Sequence, residues 1–127
     1  MDTQEQHDRG LALRTEMFGR EAVERRTAAF GEFGKPLQHI INAYAYGDVW
    51  NRSALPLATK SLAMVAMMAA AGHPNELRVH LKGALQNGCG AEQIQEILLL
   101  VALYCGIPAA NEAHRVAVEV LREEKLM

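Results

Sequence analysis

Residues 62–88 read LAMVAMMAAAGHPNELRVHLKGALQNG, and this stretch decides the fold. Leu62 to Ala71 is apolar on every side, which predicts a buried helix. Gly72 ends it, and Pro74 opens a second helix. Proline is tolerated in a first turn because its missing N–H would lack an intrahelical partner there anyway. In the second helix Leu77, Leu81, Ala84 and Leu85 share one face at 100° per residue. Gly88 and Gly90 stop that helix and allow a tight turn.

The same punctuation extends outward. A helix is predicted over residues 2–17, stopping at Gly19, and a short one over 20–29. Gly31 and Gly34 break the chain, and Pro36 begins a helix carrying Leu37, Ile40, Ile41 and Tyr44. The segment Tyr46–Leu55, YGDVWNRSAL, reads as a loop with one large aromatic and one arginine. A helix begins near Pro56 and runs into the opening stretch. Beyond Gly90, a helix over 91–104 is again apolar all round after Ile97. Gly106 and Pro108 precede a last helix, over about 108–124, with a stripe at Ala109, Ala113, Val116, Ala117, Val120 and Leu121. β-Branched residues are few and no segment alternates, so strands are not expected. The fold class is all-α: a single-domain bundle of about six to seven helices over residues 1–127.

Composition narrows the function classes. A chain of 127 residues, half of them hydrophobic, suits one globular domain. The net charge is −2 and the basic residues are scattered, so no cationic stripe offers itself to nucleic acid or an anionic membrane. The polar, acidic N-terminus MDTQEQHDRG is no signal peptide, and the Leu62–Gly72 run is about half a membrane span. A cytoplasmic protein is expected. Cys89 and Cys105 lie in neither a C-x-x-C nor a zinc pattern, and the five histidines form no metal-binding motif, so no metal is expected. Two helices without a polar face exceed what one small domain buries comfortably. Together with six methionines, they point to a homo-oligomer.

His80 stands on the shoulder of its helix's apolar face, with Glu76 one turn before it and Gly83 just beyond. Residues at i and i+4 can meet, and a carboxylate beside an imidazole stabilises the imidazolium and fixes the ring. Imidazole titrates near neutrality, where a general acid or base is most effective. Gly83 costs the helix up to ~1 kcal/mol relative to alanine, so something needs the room, a neighbouring helix or a ligand. Spacing alone fits equally a packed core histidine or a surface ion pair.

Several motifs, in order, resemble the carboxymuconolactone decarboxylase family. They are Gly10-Leu-Ala-Leu-Arg with Phe18-Gly19, Tyr44-Ala-Tyr-Gly-Asp-Val-Trp-Asn-Arg52, Thr59-Lys-Ser-Leu62, Glu76-Leu-Arg-Val-His80 with Ala84-Leu-Gln-Asn-Gly88, and Tyr104-Cys-Gly-Ile-Pro-Ala-Ala-Asn111. The Gly-Asp-Val-Trp-x-Arg and Tyr-Cys-Gly-x-Pro-Ala-Ala elements resemble the 4-carboxymuconolactone decarboxylases in particular. The resemblance implies an all-α subunit around an antiparallel central helix pair, assembled as trimers or hexamers, with a site near that pair. The wider superfamily includes alkyl hydroperoxide reductase D-type proteins, with C-x-x-C-x-x-x-H on this helix. Here His80 matches the motif histidine, while His73 and Glu76 stand where the two cysteines would be. The proton-handling residue is kept and the redox pair is missing.

The reaction this resemblance implies is decarboxylation of 4-carboxymuconolactone, an anionic lactone, to 3-oxoadipate enol-lactone in aromatic-acid breakdown. No cofactor is needed, because the electrons left by the carboxylate delocalise through the ring alkene onto the lactone carbonyl. On this reading His80 is the proton donor, or hydrogen-bonds the oxyanion, and Glu76 orients it. Arg52 grips a carboxylate bidentately, Trp50 walls the pocket or packs as an ordinary aromatic, and Tyr104 donates a hydrogen bond or simply packs. Cys105 is expected to be a small buried filler. Three positions depart from the family pattern: Leu100 where many members carry His or Gln, Lys60 at a usual arginine, and Cys89-Gly90 at a helix start. Leu100 favours a paralogue acting on another carboxylated lactone or oxo-acid. The remaining rivals are a non-catalytic small-molecule-binding oligomer and a residual peroxidase role for the cysteines.

Overall fold

In the computed structural model, which describes residues 2–127, the helices and breaks fall close to where the sequence puts them. The helices are α1 (Thr3–Phe18), α2 (Arg20–Phe30), α3 (Lys35–Ile40), a π-helical segment (Ile41–Val49), α4 (Leu57–Ala71), α5 (Pro74–Gln86), α6 (Ala91–Cys105) and α7 (Ile107–Glu123). No strand occurs among the described residues. The chain falls into two compact units, residues 1–55 and 56–127.

In the N-terminal unit, α1 starts on Asp2, whose carboxylate accepts the Glu5 N–H at 2.8 Å. This is the side-chain cap that an orphan first-turn donor requires. The Tyr46–Leu55 loop is a partial misreading, because helical winding continues to Val49 in π form. The Trp50 N–H donates to the Ala45 carbonyl at 2.8 Å, a five-residue bond, and Asn51 Nδ2 then caps the Tyr46 carbonyl at 2.6 Å. An apolar aromatic run interrupted by Gly-Asp looks like a loop because a wider turn has no sequence period of its own. α1 lies directly on this segment, backbone to backbone. A Cβ at Gly10 would fall 1.6 Å from the Asn42 carbonyl oxygen, and one at Gly47 would fall 2.2 Å from that of Gln6.

In the C-terminal unit, α4 packs on α5, α5 on α7, α7 on α6 and α6 on α4, closing a four-helix ring. Its core joins Val65 and Ala69 of α4, Leu77, Leu81 and Ala84 of α5, Ile94, Leu98 and Val101 of α6, and the Ala113–Val120 stripe of α7. Each leucine so buried contributes about 1.5–3 kcal/mol. Gly72, at φ 75°, makes the left-handed turn from α4 to α5 that a side chain would disfavour.

The expectation that α4 and α6 are buried all round needs correcting. Each buries one face, while Met67 of α4 and Leu99, Leu100, Leu103 and Tyr104 of α6 are exposed. A helix at one corner of a four-helix ring meets only its neighbours, so an apolar outer side stays uncovered within the chain.

At the rim, Arg78 of α5 pairs with Glu119 and, at 2.8 Å, with Glu123 of α7, and Lys82 reaches Glu123 at 3.0 Å. The hydrogen bond from Lys82, reinforced by Arg78, holds the Glu123 carboxyl below its ordinary value. A depressed carboxylate stabilises the fold fully above the unfolded-chain value and loses that contribution as pH falls through the folded one. The melting temperature is therefore expected to drop between about pH 5 and about pH 3 in the wild type, and to drop less in Glu123→Gln. Thermal melts of the two proteins at both pH values check this.

Candidate active site

α5 carries the central candidate. Its apolar face turns into the ring through Leu77, Leu81 and Ala84, and His80 follows that face inward, only 4% exposed. Glu76, 40° round the wheel, falls on the other side of the burial boundary. It is exposed in the first turn, and it makes no hydrogen bond or ion pair among the described residues. The expected Glu76–His80 contact is not formed, because an i, i+4 pair straddling the rim of a core has one member in water and one out of it.

Around α5 the motifs serve structure. Asn87 Nδ2 donates to Ser61 Oγ at 2.9 Å, with Ser61 fully buried, so the Thr-Lys-Ser-Leu and Ala-Leu-Gln-Asn-Gly motifs meet as a tie between α4 and the end of α5. The Cys89 thiol donates to the Ala58 carbonyl at 3.4 Å, and burial pushes its pKa up. Cys105, expected to be buried, is exposed on the last turn of α6, where the helix has left its neighbours. The Cys89 thiol is therefore expected to stay unreactive toward a disulfide reagent until the protein unfolds. Two fast thiols would contradict the packing of Cys89. Tyr104, on the same turn as Cys105, is 84% exposed, so it packs against nothing substantial within the chain.

In the N-terminal unit, Trp50 is buried and stacks on Tyr46, ring centroids 5.6 Å apart and 11° from parallel. Phe18 meets the other partner, Tyr46, edge-on at 5.9 Å. Trp50 is thus part of an aromatic stack that holds the end of the π segment. Arg52 is exposed beside it and is already forked. Its Nε–H donates to Asp48 Oδ1 at 2.9 Å and its Nη2–H to Asp48 Oδ2 at 3.3 Å. The Arg52 hydrogen bond, with a smaller effect of nearby Arg9, holds the Asp48 carboxyl below its ordinary value.

The sequence reading missed a polar relay in this unit. Buried Arg14 donates through Nη1 to Gln38 Oε1 at 3.1 Å and to Asn42 Oδ1 at 2.8 Å, and its guanidinium lies 5.5 Å from the Tyr46 ring centre. Asn42 Nδ2 lies 3.2 Å from His7 Nε2, and His7 Nδ1 lies 3.2 Å from Asp8. The signal was present in the spacing: His7 and Arg14 are two turns apart on one face of α1, and Gln38 and Asn42 are one turn apart.

Three hollows stand out besides. A cavity of about 20 Å³ between α4, α5 and α7, near His73 and Glu112, has room for little more than a water. A cleft of about 260 Å³ runs between α6 and α7, and an open groove of about 800 Å³ between α1 and α2. His80 lines none of these three. Among the described residues no three His, Cys, Asp or Glu side chains converge as a metal site would need, and no helix is long and apolar enough to cross a membrane.

Comparison with known proteins places these features in one family. The model of the carboxymuconolactone decarboxylase family matches residues 35–119. A 4-carboxymuconolactone decarboxylase of Acinetobacter baylyi is 36% identical over 123 residues, 97% of this chain and 92% of its own. A nitrosuccinic acid decarboxylase of Metarhizium robertsii is 34% identical over 106 residues, 84% of this chain and 74% of its own. Both relatives are named decarboxylases, and the first spans nearly every element described above. The chain belongs to the carboxymuconolactone decarboxylase family, and it is an enzyme of the carboxy-lyase class.

Proposed function

We propose that the protein decarboxylates 4-carboxymuconolactone to 3-oxoadipate enol-lactone without a cofactor, with His80 delivering the proton. A 36% identity that runs over 97% of the chain, to a decarboxylase named for that substrate, carries the reading. The chemistry suits the residues. The C–C bond to the leaving carboxylate breaks, CO₂ departs, and its electron pair spreads through the ring alkene to the lactone oxygen as a dienolate. Protonation at carbon completes the step, and the imidazole is recharged from solvent. A ring as buried as His80 donates in a low-dielectric setting, where charge developing on the substrate is stabilised more strongly than in water. Arg52, exposed and charged, binds a substrate carboxylate. Trp50 shapes the segment that carries Arg52. Glu76 acts only as a charge one turn from His80, so Glu76→Gln is expected to cost far less activity than removal of His80.

Residues 1–127 are read as a single domain of this family, a reading supported by a family match that runs across residue 55. The exposed apolar side of α6, with Leu103 at 73% and Tyr104 at 84%, is covered by further copies of the chain in a trimer or hexamer, the assembly that the sequence resemblance implies. Light scattering of the purified protein tests the assembly, and a monodisperse monomer would contradict it. The cytoplasm suits two free cysteines, one of them exposed.

A second reading keeps the chemistry and changes the substrate. The Metarhizium robertsii relative is named for nitrosuccinic acid, a dicarboxylic acid that carries a nitro group, and Leu100 is an exposed apolar residue on α6. Measuring kcat/KM on 4-carboxymuconolactone, other carboxylated lactones and nitrosuccinate distinguishes the two. A preference for the first compound supports the proposal, and a strong preference for another acid favours the second reading.

A further inference from the structure

We infer that Ser61 and Asn87 are positioning residues for His80, their hydrogen bond setting the rotation of α5 against α4 at which the imidazole meets the substrate. The inference rests on the proposed role of His80 as proton donor. Asn87 stands seven residues beyond His80, so the two project within about 20° of each other on the helix wheel. Asn87 is the C-cap residue of α5, and its N–H still bonds back to the Gly83 carbonyl at 2.9 Å, so the wheel holds that far. Its Nδ2–H donates to Ser61 Oγ of α4 at 2.9 Å. The side of α5 that carries His80 is therefore the side turned to α4.

Two kinds of force hold α5 in place. Leu77, Leu81 and Ala84 pack by apolar burial, which is non-directional and tolerates a small roll of the helix. A hydrogen bond tolerates less, because it weakens steeply with angle. Ser61 is fully buried, so a roll that broke the bond would leave its hydroxyl oxygen short of a donor, with no water to replace it. At the other end, α5 is joined to α4 by Gly72 and His73 alone, and the His73 N–H is tied to the Met68 carbonyl at 3.0 Å. His80 lies midway between that turn and Asn87, so the helix that carries it is fixed at both ends. The Cys89 thiol reaches the Ala58 carbonyl at 3.4 Å, one turn earlier on α4, but an S–H is a weak donor and Cys89 lies outside the helix. An imidazole is carried about 6 Å from the helix axis, so a roll of about 10° moves it by about 1 Å. A displacement of that size at a reacting group can cost about 10²-fold in rate.

The test uses the full chain and reads kcat and KM on 4-carboxymuconolactone, at a temperature where melting curves show every variant folded. It also follows the His80 ring signals in a ¹H–¹³C spectrum of histidine-labelled protein, assigned by their loss in His80→Gln. Asn87→Ala and Ser61→Ala are each expected to lower kcat by about tenfold to hundredfold, with KM changed less than about twofold. The double variant should fall no further than either single, since both remove one bond. Asn87→Asp leaves the Ser61 hydroxyl a partner, because a hydroxyl can donate as well as accept, and is expected to recover much of kcat. The His80 signals should shift or double in the two alanine variants and return in Asn87→Asp. Unchanged kcat in Asn87→Ala and Ser61→Ala, with kcat lost in His80→Gln, would overturn the inference and leave the role of His80 standing. Unchanged kcat in His80→Gln would remove both. A rise in KM larger than the fall in kcat would also overturn the inference, since Ser61 or Asn87 would then be touching substrate. So would a fall in kcat with the His80 signals unmoved.

Discussion

Replacing His80 with alanine is expected to lower kcat by about 10²–10⁴ while leaving a helical, folded protein. The range is what enzymes commonly lose with a positioned general acid, since proton delivery to carbon must then come from water. His80 is 4% exposed on a face whose other members are Leu77, Leu81 and Ala84, so the truncation also leaves a cavity and some loss of stability. His80→Gln keeps most of the volume and hydrogen-bonding capacity and cannot donate a proton as an acid does. Both variants are expected to fall by a similar factor in kcat, whereas a purely structural histidine would show most of its loss in Ala and little in Gln. Circular dichroism and thermal melts confirm the fold, and initial rates at saturating substrate give kcat. Undiminished turnover in either variant would remove the role assigned to His80.

Gly10→Ala is expected to destabilise the N-terminal unit by about 3 kcal/mol or more, at the upper end of overpacking costs. The new Cβ would stand 1.6 Å from the Asn42 carbonyl oxygen and 2.6 Å from the Gly47 nitrogen, and both are backbone atoms. A flexible side chain could swing away, but a π-segment backbone fixed by the Trp50 and Asn51 hydrogen bonds cannot. α1 would have to lift off, carrying Arg14 away from Gln38 and Asn42 and leaving polar groups buried without their partners. Limited proteolysis should then cut α1 early, and the melting curve should shift strongly downward. A melting temperature within a degree or two of the wild type would show that α1 does not pack on residues 41–49 as described.

How much of this was legible in sequence depended on whether a residue's role is local. Gly19, Gly72, Pro74, Gly90 and Gly106 mark helix ends by their own backbone chemistry, and the boundaries they predict agree with the structure to within a few residues. The α7 stripe was readable because every member faces one core. The π segment was not, since an extra residue per turn leaves no periodic trace in nine residues. Apolar composition alone overstated the burial of α4 and α6, because it cannot show how many neighbours a helix meets. Leu103 is as apolar as Leu98 but lies outside the ring, as does Cys105. In the candidate site, His80 was found from its place on a wheel, and its inward turn follows from that place. Glu76 was paired with it by the same wheel, which gives angular distance and not the position of the water boundary. The Asp48–Arg52 fork had the same i, i+4 spacing and formed, because both partners are on the accessible side.

The most direct measurement is CO₂ release from 4-carboxymuconolactone by protein dialysed against a chelator, with no metal or cofactor added. Stoichiometric CO₂ with enol-lactone appearing at the same rate, over many turnovers per chain, is the expected result. No release above the uncatalysed rate from a folded protein, or release only after a metal or redox cofactor is supplied, would contradict cofactor-free decarboxylation of this substrate.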